Sequence, residues 1–178
     1  EKHLLDWLTR EFGEALAKET LPLMNEYYRL AYIRKPEFMG NTRTEEKDPK
    51  YKVVCDLPWS QKEVETRLKE YEALADKVVE LSSQKKKKKQ QTWYQLVEYP
   101  LRGAAEMNKK HLYAQLARHG LVDWRLSNEA FDSIVAMTEK YNSLKTNIAA
   151  YEEIKHTLNP TATLETSFYK NETPFVKV

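Results

Sequence analysis

The side chains here that could move protons, hold a metal or attack a substrate are four histidines, one cysteine and 27 carboxylates. The histidines, His3, His111, His119 and His156, lack the i, i+4 pairing of a helical zinc site, so each is expected to be a surface or cap residue. Cys55 stands alone, which rules out an internal disulfide and any cysteine-cluster metal site, and no histidine lies near it in sequence to act as its base. Neither a Gly-x-Ser-x-Gly elbow nor a phosphate-cradling glycine loop occurs. Glycoside hydrolysis needs two carboxyl groups at a defined separation, and sequence alone assigns no such pair. Runs such as Glu45-Glu46 and Glu152-Glu153 read as solvated faces. No catalytic residue, cofactor or metal ligand is therefore assigned.

Polar residues beside helical apolar stripes carry more information. Asn25, Arg29, Arg34, Lys35 and Glu37 form one group, and Arg102, Glu106, Asn108 and Lys109 form another. Hydrogen bonds and ion pairs between helices are one reading. Docking against a neighbouring domain is the other, with Arg29, Arg34, Lys35, Glu37, Arg102, Asn108 and Lys109 as its candidates. Tyr27, Tyr28, Tyr32 and Tyr113 fit either, because a tyrosine packs its ring while its hydroxyl still needs a partner.

The elements that must position these groups are helices. With 41% apolar residues in 178, the chain is long enough for one domain with a real core, and four Gly and seven Pro are few for an all-β fold. From Leu4 to Ile33, apolar residues recur every three or four positions, which predicts one long helix that Pro22 kinks or splits. Arg34 to Trp59 shows no sustained period and holds four breakers, Pro36, Gly40, Pro49 and Pro58. It is expected to be a long irregular connection, with a short strand possible at Tyr51 to Cys55.

Ser60 and Glu63 make a capping box, and Trp59 with Val64 a hydrophobic staple, so a second helix starts there and runs to Ser82 and Ser83. A third follows from Trp93 to Leu116, bent at Pro100 and stopped where Arg118 and His119 can face the carbonyl end and Gly120 can take the left-handed cap. Ser127 is the expected cap of a fourth, whose stripe continues to Leu158, a rod on the order of 45 Å, before Asn159-Pro160 ends it. The tail from Thr161 to Val178 alternates partly and reads as extended chain. The fold class expected is all-α, an antiparallel bundle of four or five long helices, with residues 1–160 as the helical domain and 161–178 as a tail or the start of a β-rich module.

Net charge is +2, and Lys85 to Lys89 account for it, since without them the balance turns acidic. That run reads as a solvated loop or helix start. A patch for an anionic polymer would need interleaved aromatics and arginines, so no nucleic-acid partner is expected. No apolar run approaches the length that spans a bilayer and the N-terminus lacks a signal-peptide pattern, so a soluble piece with no membrane partner is expected.

Two blocks carry a resemblance. Tyr27-Tyr28-Arg29-Leu30 with Arg34-Lys35-Pro36-Glu37-Phe38-Met39-Gly40 is one. Tyr94-Gln95-Leu96-Val97-Glu98-Tyr99-Pro100, followed by Gly103-Ala104-Ala105-Glu106-Met107-Asn108-Lys109-Lys110 and Leu112-Tyr113-Ala114-Gln115, is the other. Together they resemble the helical domain of the xylan α-glucuronidases of glycoside hydrolase family 115. Trp7 with Glu11-Phe12-Gly13 upstream, and Phe131-Asp132-Ser133-Ile134 with Thr138-Glu139-Lys140-Tyr141-Asn142 downstream, keep the same order. The lysine run, the short linker around Trp124 and the continued helix after Asn142 depart from the family's pattern.

The resemblance implies a piece of a large secreted or periplasmic enzyme in which an α/β domain and a catalytic barrel precede the helices and a β-sandwich follows. Such enzymes remove glucuronic acid or its 4-O-methyl ether from xylan by inverting hydrolysis, with catalytic groups on the barrel. The implied partners are the barrel and other domains of the same chain, glucuronoxylan, and a second copy as a homodimer. The alternative is a free-standing helical interaction module that binds a protein or an anionic polymer through Lys85 to Lys89.

Overall fold

Three- and four-residue apolar spacing becomes helix wherever the computed structural model describes the chain, which is over residues 2–36, 39, 56–83 and 87–146. Among those residues there is no strand, and the class is all-α.

The rod expected from Leu4 to Ile33 is two helices, α1 (Lys2–Phe12) and α2 (Glu14–Ile33). The break falls at Gly13, not Pro22. Gly13 has φ 87° and ψ 160°, a conformation open almost only to glycine, and it turns the chain so that α1 packs on α2. Pro22 lies inside α2 on its exposed side. It forfeits only the bond to the Lys18 carbonyl, on a turn that faces water, so α2 continues through it.

The second helix, α3 (Gln61–Ser83), starts as the capping box requires. The Ser60 amide donates to Glu63 Oε2 at 2.7 Å and the Glu63 amide donates to Ser60 Oγ at 3.3 Å. The Ser60 hydroxyl, which also donates to Glu63 Oε2 at 2.7 Å, and the Ser60 amide together hold the Glu63 carboxyl below its usual range.

A single continuous rod follows, made of α4 (Lys87–Trp93), a π-helical turn (Tyr94–Glu98) and α5 (Tyr99–Arg118). Pro100 cannot donate to Leu96, and the chain absorbs this by widening the turn before it, where the Tyr99 amide reaches the Tyr94 carbonyl. The stop of α5 is a Schellman motif: Gly120 at φ 71° donates to the Ala117 carbonyl at 3.0 Å and Leu121 donates to the Leu116 carbonyl at 3.0 Å. Arg118 and His119 turn instead to the Asp56 carboxylate, which ties the end of the long connection to the end of α5. The side-chain amide of Gln115 makes a second tie, exchanging two hydrogen bonds with the Leu57 backbone.

The last helix, α6 (Arg125–Thr146), begins two residues before the expected cap. Asp123 caps it, accepting from the Arg125 amide at 2.6 Å. Ser127 is buried, and its hydroxyl donates across to the Lys110 carbonyl on α5 at 2.7 Å. Below it, the Tyr94 hydroxyl donates to the Met137 carbonyl, Tyr99 meets Thr138, and Tyr99 stacks on Tyr141 at 4.5 Å. The expected strand at Tyr51 to Cys55, the continuation of the last helix to Leu158 and the tail lie outside the described residues.

The core has two parts. The larger joins α1, α2, α3 and the α4–α5 rod through Leu8, Phe12, Leu30, Tyr71, Trp93 and Leu101, with Phe12 edge-on to Trp93 at 5.4 Å. The smaller gathers Met39, Leu57, Val64, Leu68, Leu112 and Leu116 where the connection returns to α3 and α5. Each such side chain contributes roughly 1.5–3 kcal/mol by leaving water.

Candidate docking face

Position 67 falls within the apolar stripe of α3, three residues after Val64 and four before Tyr71, yet it is an arginine. Arg67 is 4% exposed. Its guanidinium donates to Asn108 Oδ1 at 2.8 Å, the Leu30 carbonyl at 3.2 Å and the Arg34 carbonyl at 2.8 Å, and it lies over the rings of Trp59 and Tyr71. Leu30 lies in the last turn of α2 and Arg34 is the extended residue that follows it, so a side chain of α3 helps cap the negative end of α2. Burial makes the charge on Arg67 less favourable and pushes its pKa down. Sequence reasoning missed this residue, although a cation on the buried face of a stripe is itself the signal.

The docking candidates divide around that hub. Arg29 is half exposed and sits between Glu26 and Glu70, its Nη2 at 2.7 Å from each. Those bonds raise its own pKa, and the bond from Arg29 holds the Glu26 carboxyl low. Arg34 is partly buried and Lys35 exposed, both at the mouth of the long connection; Glu37 lies outside the described residues. Asn108 is wholly buried and donates back to the Ala104 carbonyl at 2.9 Å, so it serves the interior. Arg102 pairs with Glu98 one turn back, in the π turn, and Lys109 with Glu106 on α5, both along the same rod. Burial pushes the Glu106 carboxyl up despite Lys109 beside it. Tyr113 donates to Glu72 at 2.9 Å, and burial pushes its hydroxyl up to about 12.

Beside Arg67 a cleft of about 290 Å³ opens to solvent between the end of α2 and the start of α3. Ile33 and Trp59 give it an apolar wall, and Lys62, Glu63, Arg67 and Glu70 line the rest. On the last two turns of α2, Tyr32 is 94% exposed and Tyr28 50% exposed.

The groups that could do chemistry elsewhere are engaged in structure. Trp93 Nε1 donates to Ser82 Oγ, which donates to Glu98 Oε2, both at 2.7 Å. His111 is partly buried rather than a surface residue; desolvation, with Lys110, Arg118 and Arg34 nearby, lowers its pKa to about 3. Burial lowers Lys110 to about 8, and its ammonium lies over Phe131 at 5.6 Å. His119 pairs with Asp56, whose carboxyl is held low because the bonds from His119 and Arg118 outweigh burial. His156, Cys55, Lys85 and Lys86 lie outside the described residues. Among the described residues no three metal-ligating side chains gather, and no helix is long and apolar enough to cross a membrane.

No family model matches the chain, and no curated protein matches it. Among solved structures it is similar to one described as a novel family GH115 4-O-methyl-α-glucuronidase, BtGH115A, with specificity for decorated arabinogalactans, at 54% identity and a TM-score of 0.75. The match takes in 80% of this chain and 19% of that one, so the chain spans about a fifth of that enzyme's length. Agreement of fold and sequence over 80% of its length makes the chain a helical domain of glycoside hydrolase family 115.

Proposed function

We propose that the chain is the scaffold and cleft-wall domain of a multidomain α-glucuronidase, with residues 1–160 as the helical unit and 161–178 leading toward a β-rich module. The parent enzyme hydrolyses glucuronic acid or its 4-O-methyl ether from polysaccharide side chains, and its catalytic carboxyl groups lie on another domain. The observation that carries this is the match itself, 54% identical to an α-glucuronidase yet confined to 19% of its length. Engagement of Glu98 with Ser82 and Arg102, and of Glu106 with Lys109, supports a structural use of the buried carboxylates.

Xylan is the substrate expected from the family resemblance, and the similar enzyme acts on decorated arabinogalactans, so both polymers belong in the test. Export from the cytoplasm and self-association of the parent are parts of the same proposal. Arg29, Arg34, Lys35 and Arg102 are its outward docking contacts, with Asn108 and Lys109 stiffening the helices behind them. Purified 178-residue chain and the full-length parent are incubated with 4-O-methylglucuronoxylan and with glucuronic acid-decorated arabinogalactan, and free uronic acid is measured. Release by the parent and none by the chain is expected. Turnover by the chain alone would place catalytic groups within it and overturn the reading.

A further inference from the structure

We infer that the cleft between the end of α2 and the start of α3 receives an acidic, apolar-flanked segment from another domain of the same polypeptide; this rests on the multidomain reading above. Its wall is apolar and exposed. Tyr28, Tyr32 and Ile33 are 50%, 94% and 54% exposed on the last two turns of α2, and Ile33 continues into Trp59. Among the described residues the other large exposed apolar side chains are Val79 on α3, Leu96 in the π turn and Leu121 in the link between α5 and α6. Clustered tyrosine, tryptophan and arginine are the residue types on which protein interfaces concentrate their binding energy.

The charge in the cleft is unevenly engaged. Its two carboxylates already have partners, Glu63 in the capping box and Glu70 on Arg29. Its two cations keep donors in reserve. Lys62 meets no acceptor among the described residues, and Arg67 uses three of its five N–H groups, on Asn108, Leu30 and Arg34. The cleft is therefore short of acceptors, and a carboxylate beside an apolar side chain complements it. A neighbouring domain is the occupant favoured, because the same fold in the similar enzyme sits within a chain about five times as long. Its form, open to solvent, suits a protein edge better than an enclosed small molecule.

The test is zero-length carbodiimide coupling of the full-length parent polypeptide, followed by peptide mass spectrometry. Lys62 is expected to couple to an Asp or Glu outside residues 1–178. Ile33→Asp should cut that product about tenfold, the loss of one apolar anchor, while the Lys18–Glu14 product within α2 stays unchanged as the folding control. In a multidomain parent, coupling of Lys62 only to carboxylates of its own 178 residues overturns the docking site and leaves the domain reading intact. Coupling to a second copy, detected by mixing isotope-labelled and unlabelled protein, overturns it in favour of self-association. A parent whose mass shows no further domain overturns both.

Discussion

Arg67 and Asn108, 41 residues apart in sequence, meet at 2.8 Å, both buried, between α3 and α5. No carboxylate completes the pair. A buried guanidinium is tolerated here because three oxygens, two of them backbone carbonyls at the end of α2 and just past it, replace the water it lost. The charge thus does the work of a helix cap from outside the helix.

Arg67→Met is expected to destabilise the chain by about 3 kcal/mol, since it takes the guanidinium donors away from the Arg34 carbonyl, the Asn108 oxygen and the Leu30 carbonyl, the last of which keeps only the Arg34 amide at 3.3 Å. Asn108→Leu should cost about 2 kcal/mol by leaving Arg67 Nε unmet. The double variant should cost less than the two together by about 1 kcal/mol or more, because each single variant strands the other's partner. Urea unfolding followed by far-UV circular dichroism reads all three. Strictly additive costs would show that the contact carries no coupling.

What the sequence made legible follows the range of the forces involved. The capping box at Ser60 and the Schellman stop at Gly120 depend on residues a few positions apart, and both form where the local chemistry places them. Ser127 has the same local credentials as a cap, but the Lys110 carbonyl across the interface takes its hydroxyl, and Asp123 caps α6 instead. Arg67 was hidden for the same reason: its acceptors lie on α2 and α5, and nothing within one turn of it names them. The docking candidates show the mixture, with Arg29 reaching α3 through Glu70, Arg102 and Lys109 pairing along their own helix, and Asn108 turned fully inward.

The break at Gly13 has a direct consequence for two substitutions. Gly13→Ala forces a methyl-bearing residue to φ 87° and should cost about 1–3 kcal/mol even though nothing crowds the added carbon. Pro22→Ala restores an amide donor within an unbroken α2 and should stabilise by about 2 kcal/mol. Thermal melts of both variants decide it. If the helix were divided at Pro22, the proline would be favourable and its replacement would lower the melting temperature.

Ser82 joins the end of α3 to the π turn, accepting from Trp93 Nε1 and donating to Glu98 Oε2. Ser82→Ala removes both bonds, leaves a buried indole N–H and one carboxylate oxygen unmet, and should cost about 1–3 kcal/mol. Ser82→Thr keeps the hydroxyl and should recover most of that loss. Loss of the hydroxyl bond should also change Trp93 emission, so fluorescence in the folded baseline reports the site separately from stability. Equal stability of the Ala and Thr variants would show that the hydroxyl is not what matters.

His111 gives the fold a pH dependence whose direction follows from its surroundings. Burial first, and then the positive charges of Lys110, Arg118 and Arg34, favour the neutral ring and bring its pKa from 6.5 to about 3. As pH falls below 6.5, the unfolded chain takes up a proton that the folded chain refuses, so stability is fully present above 6.5 and is lost progressively toward 3. Between pH 6.5 and pH 5 the loss attributable to this ring is up to about 2 kcal/mol, in a window above the range where most carboxylates titrate. His111→Gln cannot take up that proton. Its urea midpoint should therefore fall less than the native chain's between pH 7.5 and pH 5, whatever its absolute stability, and parallel pH profiles for the two proteins would show that the ring charges freely in the folded state.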